Sequence, residues 1–416
     1  MSNEYDVIVI GGGASGMMAA GRAGELGKRV LLLEKNKKLG EKLSITGGGR
    51  CNILNAEEDE QVLLKHFGKA EQFLYSPFSQ FGMKESYQFF ERRGLPLIVE
   101  ARKRAFPKSE KAGDVVKTLE TYLRAGNVEV RLNAPVERVL IENNVIAGVV
   151  VGGATLTADA YILATGGVSH PETGSTGDGF AWLSALGHRV QQPSPTIVPL
   201  AASDPWIKQL SGISIPNMKI TFFADGTRAF SERGTLLLTH FGLSGPLILN
   251  AASKVADLLA FGSVTAVIDT YPDMDLGVLE RHMTTVFDAN KNKALKNVFR
   301  TIAPVGTSAV MLSLAEGVDP EIKVHSVTKL QRRMLAHTLK SLPVTIIGLM
   351  GFDRAVVADG GVDLTEIDTK TFRSRLVSNL FITGDLLHIR RPSGGYSLQL
   401  AWTSGFVAGD HASRAR

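Results

Sequence analysis

A single cysteine, Cys51, is present, so no disulfide can form within the chain. A dithiol relay of the kind flavin disulfide reductases use is excluded with it, and so is a cysteine-rich zinc site. The nine histidines show no His-x-His or His-Glu-x-x-His pairing, so no metal site is expected. No apolar stretch reaches about 18 residues without interruption, which leaves no expected membrane span. The N-terminus lacks the cationic, apolar and small-residue order of a signal peptide. A cytoplasmic protein is the expectation.

With 416 residues, the chain is too long for one ordinary core, and two to three domains are expected. Hydrophobic residues at 44% and charged residues at 21% fit a globular protein. Net charge is +5, and basic residues gather locally. The runs are Lys35, Lys37, Lys38 and Lys42; Arg102, Lys103 and Arg104; Lys291, Lys293 and Lys296; Arg332 and Arg333; Arg390 and Arg391. Such runs mostly mark solvated surface, and they leave an anionic or nucleic-acid partner open. No feature sets the oligomeric state. Many of the 43 glycines cluster in short runs, as tight turns beside a ligand would.

The first such cluster has a defined context. Tyr5 to Ile10 reads as a buried parallel strand, and Met17 to Leu26 has helical composition. Between them stands Gly11-x-Gly13-x-x-Gly16. A second apolar strand, Arg29 to Leu33, ends in Glu34, completing a βαβ unit. Gly11 permits the turn, Gly13 lets backbone amides approach a pyrophosphate, and Gly16 lets the helix pack on the strand. The helix N-terminus favours an anion. Glu34 follows Gly16 by 18 residues, where a carboxylate accepts from a ribose 2′-hydroxyl and repels a 2′-phosphate. FAD or NAD therefore fits better than NADP.

Further along lies the Gly-rich loop Thr46 to Asn52, then a mainly helical stretch from about 60 to 125. Strands are expected at 128–132, 134–141, 145–151 and 155–164. From Pro193 prolines become denser and strands such as Lys219 to Ala224 follow. The expected organisation is an α/β protein. Residues 1–192 and 345–416 form a Rossmann-like FAD domain in two parts, 193–272 and 325–344 an inserted β-rich domain, and 273–324 a helical subdomain, with helical and basic composition running on to about 340. Ile382-Thr383-Gly384-Asp385 reads as a strand end, and Gly394-Gly395-Tyr396-Ser397-Leu398-Gln399 as a helix start. This returning segment favours FAD over NAD. Asp385 is placed for ribityl hydroxyls, and the final helix dipole for the flavin N1/O2 edge.

Four segments resemble the BaiN/RdsA family of FAD-dependent flavoproteins, the aminoacetone-oxidase-like proteins. They are Lys42 to Asn52, Phe106-Pro107-Lys108-Ser109, Thr239 to Pro246 and Gly394 to Gln399. The resemblance covers essentially the whole chain and implies a Rossmann-like FAD domain carrying a β-barrel-like insertion with a helical part. The expected cofactor contacts are Gly11, Gly13, Ala14, Ser15 and Gly16; Glu34 and Lys35; Lys42, Thr46, Gly48, Gly49, Arg50, Cys51 and Asn52; Val136; Ala164, Thr165, Gly166 and Asp178; and Gly384, Asp385, Gly395, Tyr396, Ser397 and Leu398. Where relatives tend to carry Leu-Asp-Val-Asp-Gly, this chain has Leu387-His388-Ile389-Arg390-Arg391, an apparent inversion of charge that leans toward an anionic or neutral substrate.

The activities implied by the resemblance share the cofactor and differ in substrate. Reduction of a C=C, in an rRNA uridine or a small enone, is the leading expectation, with NAD(P)H as a transient reductant. It needs an acid for the carbon that does not take the hydride, and Arg50, His240 and Tyr396 are the candidates for catalytic roles. Oxidation of a small amine with O₂ and a non-catalytic RNA-associated role are the alternatives. No second Gly-x-Gly-x-x-Gly follows a strand, so a dedicated NAD(P)H domain is not expected.

Overall fold

The computed structural model describes residues 4–414. The chain divides into two units, one formed by residues 1–195 and 355–416 and the other by Thr196–Arg354.

Five parallel strands organise the first unit. Their spatial order is Leu380–Ile382, Ala158–Leu163, Tyr5–Ile10, Val30–Leu33 and Glu129–Arg131. Val7 pairs with Val30 on one side and with Ala160 on the other. The central strands are covered on both faces, which is why their sequences run apolar instead of alternating. The opening helix, Ala14–Glu25, makes the crossover between the first two strands.

The final helix, Tyr396–Ala412, packs directly on the opening helix. A Cβ at Gly405 would stand 2.4 Å from the Ser15 carbonyl oxygen, and one at Gly409 would stand 2.4 Å from that of Ala19. Glycine at both positions lets the two backbones touch, and Arg22 binds Asp410 at 2.6 Å further along. The C-terminal segment thereby rejoins the N-terminal turn.

Val190–Thr196 and Val357–Val362 form a two-stranded sheet, and two three-stranded sheets flank this core. Arg138–Glu142, Val145–Val151 and Ala154–Leu156 form an antiparallel meander. Leu54–Asn55, Arg104–Pro107 and Leu97–Glu100 form the other, the last two inside the stretch expected to be mainly helical. These strands are two to four residues long, too short for a period to register.

The second unit is a closed antiparallel barrel. Its strands run Leu200–Ala202, Gly242–Ser244, Thr227–Thr239, Ser214–Ala224, Val264–Asp269 and Leu342–Leu349 around the wall. Met218, Ile220 and Phe222 alternate inward, as a one-face-buried strand requires. Helices Leu276–Asp288, Leu295–Phe299, Ser308–Leu314 and Lys329–Lys340 lie between the last two strands in sequence. Residues 329–340 are helical, as their composition suggests, so the helical part runs past the bound at 324, and the division at 344/345 falls within one continuous barrel strand. Among the described residues, no helix is long and apolar enough to cross a membrane.

Candidate functional site

The first strand ends at Ile10, and Gly13 caps the opening helix. Gly11 has φ +107°, and a Cβ there would lie 2.5 Å from the Ala164 carbonyl oxygen. At Gly16 a Cβ would meet the Gly11 carbonyl oxygen at 1.8 Å. Gly13 is different, because its φ is −82° and nothing lies within 4 Å of a Cβ built on it. The space ahead of the helix is open there, and among the described residues the first-turn amides of Ala14 and Ser15 have no acceptor. The Ser15 hydroxyl accepts from Thr383 at 3.2 Å, which ties the turn to the C-terminal segment.

Glu34 is buried beside this turn. Its carboxylate accepts from the Gly12 amide at 2.7 Å and from the Asn36 amide at 2.8 Å. Each oxygen keeps a further lone pair, so Glu34 braces the turn and still presents acceptors. Lys35 binds Asp178 at 2.7 Å. Burial pushes the Asp178 carboxyl up, but hydrogen bonds from Lys35 and Thr176 prevail and hold it below its ordinary value. Ala164 continues the sheet, its amide donating to Ile10 at 2.9 Å. Thr165 keeps a buried hydroxyl without a partner among the described residues, and Gly166 turns the chain at φ +72°. Val136 is half-buried, in the segment that Ala134 fastens to the Glu34 carbonyl at 2.9 Å.

The loop Thr46 to Asn52 lies against the start of the final helix. Thr46–Gly49 is a tight turn in which Gly48 and Gly49 have φ +68° and +87°, with nothing within 4 Å of a Cβ at either. The Asn52 amide oxygen accepts from the Gly395 amide at 3.0 Å, and Asn55 donates to the Gly394 carbonyl at 3.1 Å. A Cβ at Gly395 would lie 2.3 Å from the Leu54 backbone. Cys51 is fully buried, and burial raises its thiol to about 12, so it stays a protonated packing residue.

Asp385 is the charged centre of the unit's C-terminal segment. Lys42 reaches it at 3.1 Å and also donates to Ser169 at 2.9 Å. Arg391 pairs with its other oxygen, donates to Ser397 at 3.0 Å and to the Ile389 carbonyl at 2.7 Å, and has a side chain only 2% exposed. Burial pushes the Asp385 carboxyl up, and the Lys42 and Arg391 cations overcome this and hold it at about 2. Arg390 lies 3.2 Å from Asp359. In the segment His388 to Arg391, whose charge inversion lies at His388 and Arg390, each arginine stands beside an aspartate. A cation after a Gly-Asp turn reads as exposed, and only the folded loop reveals its partner.

The catalytic candidates differ in their local settings. Tyr396 opens the final helix, buried, with its ring 4.9 Å from that of His66 and 5.9 Å from that of Phe67. Burial, aided by the Glu57 charge, pushes its hydroxyl to about 12. Arg50 is held by Glu100 and Glu110 over the Phe106 ring at 4.3 Å, so its positive charge is already matched. His240 belongs to the second unit, in the turn after Thr227–Thr239, with its ring 4.9 Å from that of Phe241. The cluster described here is built from the first unit alone. Leu398 is half-buried against the same core.

A parallel sheet whose first strand turns through three glycines into a helix, with a carboxylate closing the second strand, defines a dinucleotide-binding protein of Rossmann type. The chain belongs to the HI0933-like Rossmann-domain family, whose model matches residues 5–411. The family resemblance carried by the four segments is thereby established. It is 29% identical over 411 residues to a 3-dehydro-bile acid delta(4,6)-reductase of Clostridium scindens, covering 97% of this chain and 98% of that protein. It is also 29% identical over 407 residues to the ribosomal RNA dihydrouridine synthase of Escherichia coli, covering 97% of each. In fold it is similar to the 3-ketosteroid delta1-dehydrogenase of Sterolibacterium denitrificans, with a TM-score of 0.57, 17% identity and full coverage of both chains.

Proposed function

We propose that this protein is an FAD-dependent oxidoreductase that reduces a C=C bond, in an rRNA uridine or a small enone, with NAD(P)H as electron donor. The observation that carries the reading is the open cradle at Gly13, flanked by two positions where no side chain fits. An anion seated there would meet the Ala14 and Ser15 amides and the positive end of the opening helix. The Glu34 acceptors fit a ribose without a 2′-phosphate. The open sides of Gly48 and Gly49 and the unpartnered Thr165 hydroxyl supply further room and one further hydrogen-bonding group. The residues present therefore fit FAD. The two relatives act, by their names, on a bile-acid C=C and on rRNA uridine.

When bound, FAD would supply the hydride for one carbon of the double bond. The chain's own part is to orient and to protonate. Lys42 and Arg391 hold Asp385 ionised, an acceptor fixed from two sides for the cofactor's hydroxyls. Tyr396, raised to about 12, remains protonated at neutral pH and is the candidate acid for the second carbon.

Anaerobic mixing with NADH and with NADPH is expected to bleach the flavin. Nucleoside mass spectrometry of rRNA from cells lacking the gene is expected to show one dihydrouridine lost. No bleaching by either nucleotide, together with no turnover of uridine-containing RNA or enones, would sink the reading. An unchanged rRNA profile with enone turnover retained would assign a small-molecule substrate.

A further inference from the structure

We propose that the helical part of the second unit, residues 289–340, is a docking surface for the phosphate backbone of an RNA. The proposal rests on the rRNA form of the function above and says which part of the chain meets that substrate. Residues 289–340 hold nine Lys and Arg against three Asp and Glu, a net +6. The other 364 residues hold 37 against 38, a net −1. The whole excess of positive charge therefore sits in one segment of 52 residues.

The fold gathers these charges. Ala294 bridges Lys323 in antiparallel fashion, with Leu295 donating to Ile322 at 2.8 Å and Val324 to Lys293 at 3.0 Å. Lys291, Lys293, Lys323 and His325 thus share one short ribbon, and the helix Lys329–Lys340 follows it with Lys329, Arg332 and Arg333. Lys291 and Lys296 have carboxylate partners in Asp288 and Glu321. Lys293, Lys323 and Lys329 are exposed and, among the described residues, are in no ion pair.

Unpaired like charges held together repel one another, and a polyanion relieves that repulsion. The exposed residues between the lysines are Asn292, Asn297, Ser326 and Thr328, which add donors suited to phosphate and sugar. An anionic membrane would call for an apolar face instead, and here the exposed Val305 and Leu330 are single residues. RNA is the partner that the chemistry favours.

The test compares the FAD-loaded wild-type protein with the triple variant Lys293→Gln, Lys323→Gln, Lys329→Gln. A matched control, Lys69→Gln, Lys84→Gln, Lys117→Gln, removes three charges from the first unit. Binding to transcribed rRNA is measured between about 50 and 200 mM salt. The triple variant is expected to bind at least tenfold more weakly at the low-salt end, with its log–log salt slope shallower by about 2 to 3. Flavin content and NAD(P)H bleaching are expected to stay at the wild-type level, and the control is expected to bind as wild type does. Equal loss in both variants, or none in either, overturns the surface while leaving the reductase reading intact. An absence of RNA binding by the wild-type protein overturns it too, and so does tighter association with phosphatidylglycerol vesicles than with RNA.

Discussion

Gly13 and Gly16 stand three residues apart in one motif and do different work. At Gly16 a methyl would press on the Gly11 carbonyl at 1.8 Å, so Gly16→Ala is expected to cost more than about 2 kcal/mol in the FAD-free protein, read as a lowered melting temperature. At Gly13 a methyl meets nothing and the backbone φ of −82° suits alanine. Gly13→Ala is expected to leave FAD-free stability within about 0.5 kcal/mol while flavin per chain falls. A Gly13→Ala protein with full flavin content would displace the pyrophosphate from this turn. Asp385 makes a prediction in pH. Its folded carboxyl lies at about 2 against an ordinary 3.8. A depressed folded value stabilises the fold above pH about 4 by on the order of 2 kcal/mol, and the contribution is lost as pH falls toward 2. Arg391→Met removes one of the two cations. The difference in urea stability between wild type and variant is expected to be largest at neutral pH, about 3 kcal/mol, and to shrink between pH about 4 and 2. A constant difference across that window would mean that Arg391 acts by packing alone.

At the scale of elements, the junction of the opening and final helices decides whether the cofactor turn exists. The opening helix carries Gly13 at its N-terminus. The final helix buttresses it through Gly405 and Gly409, and its Ser404 hydroxyl accepts from the Gly384 amide at 3.0 Å. Gly409→Ala would put a methyl 2.4 Å from the Ala19 carbonyl. Forcing the helices apart is expected to cost about 2 kcal/mol and to lower flavin content, although Gly409 touches no cofactor. Gly113→Ala is the control, since nothing lies within 4 Å of its Cβ in the helix Ala112–Ala125, and it is expected to raise stability by about 0.5 kcal/mol. Calorimetry of both variants checks the pair. The spacing Gly405-x-x-x-Gly409 stands in the sequence, yet a small-residue stripe on a helix does not say which neighbour it meets.

For the whole molecule, the arrangement of sheets bears on the order of reaction. The five-stranded sheet is parallel, with the glycine turn at the end of its central strand, and the second unit is an antiparallel barrel. Among the described residues no second dinucleotide fold accompanies the first, so under the proposed function NAD(P)H and the substrate are expected to visit the same flavin face in turn. Double-reciprocal plots at several NAD(P)H concentrations are expected to be parallel, and intersecting lines would require a separate nicotinamide site. The charge of the molecule is also divided, with a near-neutral remainder and a basic helical segment, which the pI alone conceals.

The sequence by itself determined the nucleotide turn, the strand and helix around it and the returning Gly384–Asp385 segment. These depend on local rules: continuous apolar runs for strands buried on both faces, glycine where the backbone must turn or touch, a carboxylate at a strand end. Only the tertiary structure decided the partners. It showed that Arg391 neutralises Asp385 instead of presenting its charge, that Arg50 is already matched by two glutamates, and that the two helices meet at Gly405 and Gly409. It also placed residues 345–349 in a barrel strand. An ion pair, a helix contact and a sheet closure each join residues far apart along the chain, and their energies belong to the pair, so neither member's local sequence carries the signal.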